Sequence, residues 1–198
     1  MRGGIILPTD QELIREIKNG NQAAMEVLVK RHYKNIFAYI YRKVEDYHLA
    51  YDLTQETFIK MMKSIDKYKP YGKFQNWLLT IAVNQCRDYF RSSHFKQIDN
   101  EQQYEDYVKD EKGNISHLLR QKVESEQVRK ALRQLPEFQK ETIILRYYHD
   151  LKIKEIASVT DTNESTVKSR LRQGVQKLKN IFREENQNDQ RAERQSKN

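Results

Sequence analysis

Residues that interrupt helices are rare in this sequence. Only six glycines and three prolines punctuate its 198 residues, and these are the two residue types that most resist a helix interior. Lysine, glutamate, glutamine and leucine, which are good helix formers, are abundant between them. The chain therefore has few turns and much helix-forming sequence, and we predict an all-α fold.

The first half of the sequence divides into four predicted helices. Thr9 and Glu12 have capping-box spacing, in which each side chain satisfies a free backbone donor at the start of a helix. Pro70 and Gly72 mark a loop before the fourth helix. The helices are predicted to begin at Thr9 and to continue at about residues 23–44, 49–65 and 75–91, with Val27, Leu28, Ile36, Phe37, Ile40, Phe58, Met61, Met62 and Ile65 facing the core.

A change of composition separates two domains. Residues 96–122 contain many acidic and few aliphatic side chains, so this stretch cannot bury enough apolar surface to fold alone. We therefore predict two small helical domains, at residues 9–95 and 123–182, joined by a flexible acidic linker. Residues 183–198 are polar on every side and are expected to form a frayed tail.

The segment EIASVTDTNESTVKSRLRQGVQKLK, at residues 155–179, reads as a short helix, a polar turn and a longer basic helix. Asn163 is a suitable N-cap for the longer helix. That helix has one apolar face, which carries Val167, Leu171, Val175 and Leu178. This layout is typical of a helix-turn-helix domain, whose second helix enters the major groove of DNA.

The outward face of the second helix suits contact with DNA. Its cations can reach phosphates, its short hydroxyls permit close approach, and Gln173 can offer a paired donor and acceptor to adenine. The formal charge of +8 at pH 7 also favours a polyanionic partner. Ordinary amphipathic helices with a solvated basic face show the same pattern, so the pattern alone does not decide the function.

A second candidate surface lies in KFQNWLLTIAVNQCRDYFRSSHFK, at residues 73–96. Aromatic rings are interleaved there with Arg87 and Arg91. Such a mixture suits unpaired bases, which stack on rings while cations follow the backbone. The alternative is a core role for Trp77, because it shares an apolar stripe with Leu78.

Acidic and amide side chains cluster on the predicted third helix. Asp52, Gln55 and Glu56 lie at i, i+3 and i+4 in YDLTQETFIKMM and are therefore neighbours on one flank. Negative charge at this flank will not attract DNA. The cluster is either a solvated surface or a docking site for a basic protein surface.

These three segments, in this order and with an acidic linker between them, resemble an extracytoplasmic-function (ECF) sigma factor of the sigma-70 family. DLTQETF is similar to the family's segment that binds the polymerase clamp helices, and FQNWLLTIAVNQCRDYFR is similar to its −10 recognition segment. LPEFQKETIILRYYHDLKIKEIASV with ESTVKSRL is similar to its −35-binding domain. The resemblance implies an RNA polymerase sigma factor that binds core polymerase, recognises −10 and −35 promoter elements and nucleates promoter melting.

The resemblance also implies partners and site residues. Core polymerase would be contacted by Asp52, Gln55 and Glu56, and the linker would follow the RNA exit path. An anti-sigma factor is a further implied partner. Promoter contacts are implied at the −10 element for Tyr68, Phe74, Trp77, Asn84, Arg87 and Arg91, and at the −35 element for Ser165, Thr166, Lys168, Ser169, Arg170, Arg172 and Gln173.

Five positions depart from the family pattern, among them Thr160 and Thr162, which replace aliphatic residues. Thr80 stands where the family often has arginine, and Gln173 is commonly arginine, which prefers guanine. Asp161 replaces the usual turn glycine, although aspartate tolerates the left-handed conformation better than most residues. We therefore transfer no promoter sequence.

Catalytic residues, a cofactor and a metal site are not predicted. Five histidines are scattered without metal-ligand spacing, and there is no glycine-rich phosphate loop. The chain has one cysteine, Cys86, and no apolar stretch near the roughly 18 residues that a membrane helix needs. We expect a cytoplasmic protein without membrane insertion. The alternative functions are a stand-alone helix-turn-helix regulator, which would need no polymerase, and an enzyme.

Overall fold

The computed structural model describes residues 7–70, 72–92 and 126–195. All regular structure in these ranges is helical, which confirms the predicted all-α class. The predicted acidic linker at 96–122 lies outside the described residues.

The described residues form two compact units. One contains residues 7–92 together with Ala157–Thr162, and the other contains residues 126–156 together with residues 163–195. Each unit has its own buried apolar core. None of the helices described in these ranges combines the length and the apolar character that a bilayer crossing requires.

Helix α2 is the centre of the first unit. Within residues 7–92 the elements are α1 (Asp10–Lys18), α2 (Gln22–Val44), α3 (Tyr47–Ser64), a 3₁₀ turn (Ile65–Lys67) and α4 (Phe74–Arg91). Helix α2 contacts α1, α3 and α4, and α3 also contacts α4. Each large apolar side chain that is fully buried contributes about 1.5–3 kcal/mol. The fully buried side chains here include Leu28, Ile36, Tyr39, Ile40, Met61, Leu78, Leu79 and Val83.

Polar caps fix where these helices begin. Thr9 Oγ1 accepts a hydrogen bond from Glu12 N at 3.3 Å, and Glu12 Oε2 accepts one from Thr9 N at 2.7 Å, which confirms the predicted capping box. Asn21 and Asp46 cap α2 and α3 with side-chain oxygens. Each cap satisfies backbone N–H groups that have no partner within the helix, and it is worth about 1 kcal/mol.

The buried stripe of the first unit differs from the predicted one. Val27 on α2 and Met62 on α3 were expected to face the core, but they are 43% and 44% exposed. Thr54 and Thr57 are buried instead, and their hydroxyls donate to the backbone carbonyls four residues earlier, at 2.6 and 2.7 Å. A threonine whose hydroxyl is satisfied in this way can take a core position. Phe58, Met61 and Ile65 are buried as predicted, so Met62 is the one member of the predicted α3 stripe that was misplaced, and hydropathy alone missed the two threonines.

The C-terminal half is also helical. Residues 126–133 form α5, and they are followed by α6 (Glu137–Tyr147), α7 (Ile153–Val159) and α8 (Glu164–Gln195). Helices α6 and α8 pack against each other. The predicted apolar stripe of α8 is confirmed, because its members contact the core or are buried. The core consists of Leu132, Leu135 and Ile143, with Val128, Leu171, Val175 and Leu178 packed against it and Val167 fully buried.

A glycine lets α6 and α8 approach closely. A Cβ atom at Gly174 would lie 3.2 Å from Ile143 Cγ1 and 3.5 Å from Gln139 Cβ. The absence of a side chain at this position therefore permits the contact between the two helices. It also brings the first turn of α6 beside the outward face of α8.

Helix α8 is longer than predicted. It continues to Gln195, so residues 183–195 of the expected frayed tail are helical. Glutamate, glutamine, arginine and alanine in this stretch are good helix formers, and a helix that is already nucleated extends at little cost. Pro136 was expected in the first turn of a helix, but it is the N-cap residue of α6.

Helix α4 contains the single cysteine. Cys86 is fully buried, as is Ala82 one turn earlier. The sulfur therefore belongs to the core of the first unit, where cysteine behaves as a small apolar residue.

Candidate nucleic-acid interface

Helix α3 presents a mixed acidic and apolar surface. Asp52, Gln55 and Glu56 are all exposed on one side of the helix, as the sequence predicts. Tyr51 and Ile59 are exposed beside them. Apolar side chains surrounded by charged and polar ones form a surface that a protein partner can cover. The structure therefore brings the three predicted residues together where a protein can reach them.

A buried amide connects this surface to α4. Gln85 of α4 is buried. Its Nε2 donates to Glu56 Oε2, and Lys60 Nζ donates to its Oε1. Both charged partners belong to α3, so the exposed face of α3 is linked to the helix that carries the aromatic segment. Gln85 is not among the predicted site residues, because an amide carries no apolar signal and its partners are distant along the chain.

Two aromatic residues that were expected to contact DNA lie inside the first unit. Tyr68 is 6% exposed and Phe74 is 4% exposed. Their ring centroids are 5.4 Å apart, and Trp77 lies 4.9 Å from Tyr68 and 5.5 Å from Phe74. Burying a large aromatic side chain contributes about 1.5–3 kcal/mol, which an exposed ring would forgo. In this conformation neither Tyr68 nor Phe74 offers a free ring face to a base.

An ion pair and a buried histidine support this aromatic cluster. Asp10 Oδ1 accepts from Arg31 Nη1 at 2.6 Å, and Asp10 Oδ2 lies 2.9 Å from Nε2 of the buried His32. The His32 ring meets Phe74 edge to face, with centroids 5.2 Å apart. Burial lowers the pKa of His32, although the Asp10 carboxylate opposes the shift, and burial raises the pKa of Tyr68. Helix α1 thereby helps to hold the start of α4.

The outward face of α4 carries a line of side chains at helical spacing. The line consists of Trp77, Thr80, Asn84, Arg87 and Arg91, which are exposed or half-buried. Four of them are among the predicted −10 contacts, so the structure brings these four together. Thr80, where arginine is common in the family that the sequence resembles, donates its hydroxyl to Asn76 O at 3.1 Å. Arg87 and Arg91 supply the positive charge of this line.

The turn before α8 is held by backbone and cap hydrogen bonds. Asp161 has a φ of 49°, the left-handed conformation expected at this position. Thr162 N donates to Ala157 O at 2.9 Å. Asn163 Oδ1 accepts from Thr166 N at 2.8 Å, which confirms Asn163 as the N-cap. These bonds fix the direction in which α8 leaves the turn.

The first half of α8 presents the predicted −35 residues to solvent. Four of them are exposed, namely Ser165, Lys168, Arg172 and Gln173, and three are half-buried, namely Thr166, Ser169 and Arg170. The apolar stripe through Val167 faces the core instead. All seven side chains therefore share the accessible side of one helix.

The first turn of α6 contacts two of these side chains. The Arg170 guanidinium lies over the Phe138 ring, 4.6 Å from its centroid. Gln139 Nε2 donates to Gln173 Oε1 at 3.1 Å, and Gln173 Nε2 donates to Ser169 Oγ at 3.1 Å. Phe138 and Gln139 are not among the predicted site residues. No periodicity marks a contact between residues that are 34 positions apart.

The faces of α4 and α8 have the chemistry of nucleic-acid binding. Cations can neutralise phosphates, amides and hydroxyls can bond to base edges, and an indole ring can stack on an unpaired base. Within the described ranges, no group of three or more histidine, cysteine, aspartate or glutamate side chains could hold a metal ion.

Two sigma-70 families match the chain. Residues 28–95 match the family described as Sigma-70 region 2, and residues 125–178 match the one described as Sigma-70, region 4. The first match contains the candidate surfaces of α3 and α4, and the second contains the outward face of α8.

Curated relatives and solved structures agree with these matches. The chain is 28% identical to the RNA polymerase sigma-H factor of Pseudomonas aeruginosa, over 82% of this chain and 88% of that protein. It is 29% identical to the ECF RNA polymerase sigma-E factor of Escherichia coli strain K12, with the same coverage. The structure of the sigma factor RpoE with the anti-sigma factor NepR, from Bartonella quintana, aligns with a TM-score of 0.63 at 20% identity, covering 80% of this chain and 96% of that chain. At this identity the likeness concerns the fold.

Proposed function

The chain belongs to the extracytoplasmic-function group of the sigma-70 family of RNA polymerase sigma factors, and we propose that it binds core RNA polymerase, recognises −10 and −35 promoter elements and nucleates promoter melting. The observation that carries this proposal is the order of three surfaces along one chain. They are the acidic and apolar face of α3, the aromatic and cationic face of α4 and the polar face of α8. The chain acts as an initiation factor, and the polymerase catalyses RNA synthesis.

Core polymerase binds the exposed face of α3. Asp52, Gln55 and Glu56 offer acceptors and one amide to basic and polar groups of the partner. Tyr51 and Ile59 offer apolar area that the partner removes from water. The link from Glu56 through Gln85 supports this assignment, because it places the docking face in direct contact with the helix that reads the −10 element.

The −10 element is bound as a separated strand by the outward line of α4. The Trp77 ring stacks on a base, Asn84 bonds to a base edge, and Arg87 and Arg91 follow the backbone. Tyr68 and Phe74 do not touch bases. They pack against Trp77 inside the first unit and hold its ring in place. Their burial supports this division of roles.

The free energy that this chain gains from bound bases is too small for it to melt DNA alone. Opening about a dozen base pairs costs on the order of 17 kcal/mol, at about 1.4 kcal/mol per step. Stacking two captured bases returns only about 2–6 kcal/mol. The polymerase must therefore hold the separated strands, while this chain selects the position and traps the first bases.

The −35 element is bound as a duplex by the first half of α8. Lys168 and Arg172 contact phosphates, which position the helix in the groove, and Gln173 contacts a base edge. Ser165 and Thr166 lie at the N-terminus of the helix, where short side chains permit close approach and the positive end of the helix dipole suits a phosphate. The cap at Asn163 supports this proposal by fixing the start of the helix.

An anti-sigma factor is a further partner in this proposal. The Bartonella quintana structure is a sigma factor in complex with its anti-sigma factor. A protein that covered the exposed face of α3 would compete directly with polymerase for the same side chains. Because sigma factors act where RNA polymerase acts, we place the chain in the cytoplasm, without membrane insertion.

Run-off transcription tests the proposal. Purified bacterial core polymerase is given a library of genomic fragments, and start sites at defined promoters are expected only when the chain is added. Asp52→Arg should weaken polymerase binding, whereas Glu26→Arg, which makes the same charge change at an exposed site on α2, should not. A stand-alone regulator would instead shift duplex DNA without polymerase. Failure of the chain to bind core polymerase, with or without promoter fragments, would overturn the proposal.

A further inference from the structure

The first turn of α6 supports the side chain of Gln173 on the outward face of α8. Gly174 permits the approach, since a Cβ there would lie 3.2 Å from Ile143 Cγ1 and 3.5 Å from Gln139 Cβ. Gln139 is therefore held beside the turn of α8 that carries Gln173. A residue of α6 thus touches a side chain that α8 presents to DNA.

Hydrogen bonds on both sides fix the amide of Gln173. Its Oε1 accepts from Gln139 Nε2 at 3.1 Å, and its Nε2 donates to Ser169 Oγ at 3.1 Å. A primary amide has two N–H donors and two acceptor lone pairs. These neighbours use one of each, so one N–H and one lone pair are left for a ligand.

Gln139 acts as a donor in this arrangement. Its own Oε1 is buried and has no hydrogen-bond partner among the residues that the structure describes. A buried acceptor without a partner is unfavourable, and an apolar side chain of similar size would avoid the cost. The hydrogen bond that Gln139 donates to Gln173 explains why an amide occupies this position.

We propose that Gln139 is a specificity-determining positioning residue, which fixes the Gln173 amide so that it presents one donor and one acceptor to the −35 bases. This pair matches adenine, whose N6 donates and whose N7 accepts in the major groove. Guanine presents two acceptors there, and the oxygen of Gln173 would face another oxygen. The inference rests on the proposed function, because it requires α8 to lie in the major groove at the −35 element.

Without the donor of Gln139, the terminal amide of Gln173 can flip. Its oxygen and nitrogen then exchange places, and both orientations become populated. One neutral hydrogen bond corresponds to about a 2- to 13-fold preference between two orientations. Gln139→Leu removes the donor and the unpartnered buried acceptor together, so it should not destabilise the fold through a lost partner.

The test uses the full chain with core polymerase on a promoter library in which the −35 element is randomised and the −10 element is constant. Each promoter is linked to a transcribed barcode, so that sequencing gives the base preference at every −35 position. Gln173→Ala locates the base pair that Gln173 reads. At position 139, Gln139→Leu has no polar group, Gln139→Lys can only donate and Gln139→Glu can only accept. Gln176→Ala is the matched control, since Gln176 bonds to Asn180 on its own helix.

The expected result is a loss of preference at a single base pair. Gln139→Leu should lower the preference for adenine by about 2- to 13-fold at the position that Gln173→Ala identifies, with the other positions unchanged. Gln139→Lys should keep the wild-type preference. Gln139→Glu should weaken or reverse the preference for adenine. A carboxylate at position 139 can only accept a hydrogen bond, so it favours the orientation in which the Gln173 amide donates to it. Gln176→Ala should leave every position unchanged.

Two kinds of failure are distinguishable. The inference is overturned, and the proposed function stands, if wild-type selection is intact but Gln139→Leu leaves the Gln173 position unchanged or relaxes all positions equally. It is overturned in the same way if Gln173→Ala alters no position. If the wild-type chain with core polymerase selects no −35 sequence at all, the proposed role of α8 fails, and the inference fails with it.

Discussion

Replacing Phe74 with alanine should strongly destabilise the first unit. Phe74 is 4% exposed, and its ring centroid lies 5.2–5.5 Å from those of three neighbours, His32, Tyr68 and Trp77. Truncating a buried phenylalanine to alanine costs about 3–5 kcal/mol through lost burial and the cavity that is left. That is a large share of the roughly 5–15 kcal/mol that stabilises a typical domain.

Urea denaturation followed by tryptophan fluorescence measures this cost. Trp77 is the single tryptophan of the chain, and its ring lies 5.5 Å from that of Phe74, so the signal reports the first unit. With a slope of about 1–3 kcal/mol per molar urea, the midpoint for Phe74→Ala should fall by at least about 1 M. Ile59→Ala is the control, because Ile59 is an exposed apolar residue of the same unit.

Phe74→Leu separates stability from DNA contact. Leucine keeps most of the apolar volume, and the expected cost is below about 1.5 kcal/mol, so the variant should fold. If Phe74 stacked on a base, loss of the ring would weaken promoter binding by about 1–3 kcal/mol, or roughly 5- to 160-fold. We expect the holoenzyme that contains Phe74→Leu to bind the promoter almost as tightly as the wild type. An unaltered urea midpoint for Phe74→Ala, or a large loss of promoter binding for a stable Phe74→Leu, would refute the reasoning from burial.

Three further predictions concern pH, backbone conformation and salt. Burial lowers the pKa of His32, so the unfolded state binds the proton more readily. The stability that neutral His32 contributes is fully present above its unfolded pKa of about 6.5, and it is lost as pH falls below that value and through the lower pKa of the folded state. His32→Gln should flatten this loss in urea titrations read by Trp77 fluorescence. Because Asp161 has a φ of 49°, Asp161→Val should lower the free energy of unfolding, measured by circular dichroism, by about 1–2 kcal/mol. Asp161→Gly should change it by less than about 1 kcal/mol. Arg172→Gln should make the log–log salt slope of holoenzyme binding to promoter shallower by about 0.9, the value for one phosphate contact.

Each of these predictions has a control and a contradicting outcome. His48 is exposed, so His48→Gln should leave the pH dependence in place, and an equal flattening would contradict the role of burial. Equal losses for Asp161→Val and Asp161→Gly would mean that a lost side-chain contact, not the backbone, sets the cost. Lys130 is an exposed cation of the second unit. An equal change of slope for Lys130→Gln would mean that net charge governs the salt response.

Features set by neighbouring residues could be predicted from the sequence. The capping box joins Thr9 to Glu12, and the cap at Asn163 bonds to a backbone N–H three residues later. The left-handed turn at Asp161 depends on its own short polar side chain. In each case the interacting groups lie within one helical turn, so their spacing in the sequence is their spacing in space.

Features that depend on tertiary contacts could not be predicted. Aromatic residues mixed with cations look the same in a sequence whether the rings are buried or exposed. Tyr68 and Phe74 are buried because of their tertiary contacts, which the sequence pattern does not record. Thr57 is a core residue because its hydroxyl bonds to its own helix, which no hydropathy pattern records. Gln85 and Gln139 bond to residues 29 and 34 positions away, and neither distance leaves a periodic signal.

The burial of Cys86 has a practical consequence for experiments on this chain. A thiol that is out of contact with solvent reacts slowly with maleimides, and Cys86 is fully buried. A cysteine introduced at an exposed position can therefore take up a fluorescent dye while the native thiol stays unmodified. Donor and acceptor dyes placed on the two units would allow single-molecule energy transfer to follow their separation during promoter opening, without prior removal of the native cysteine.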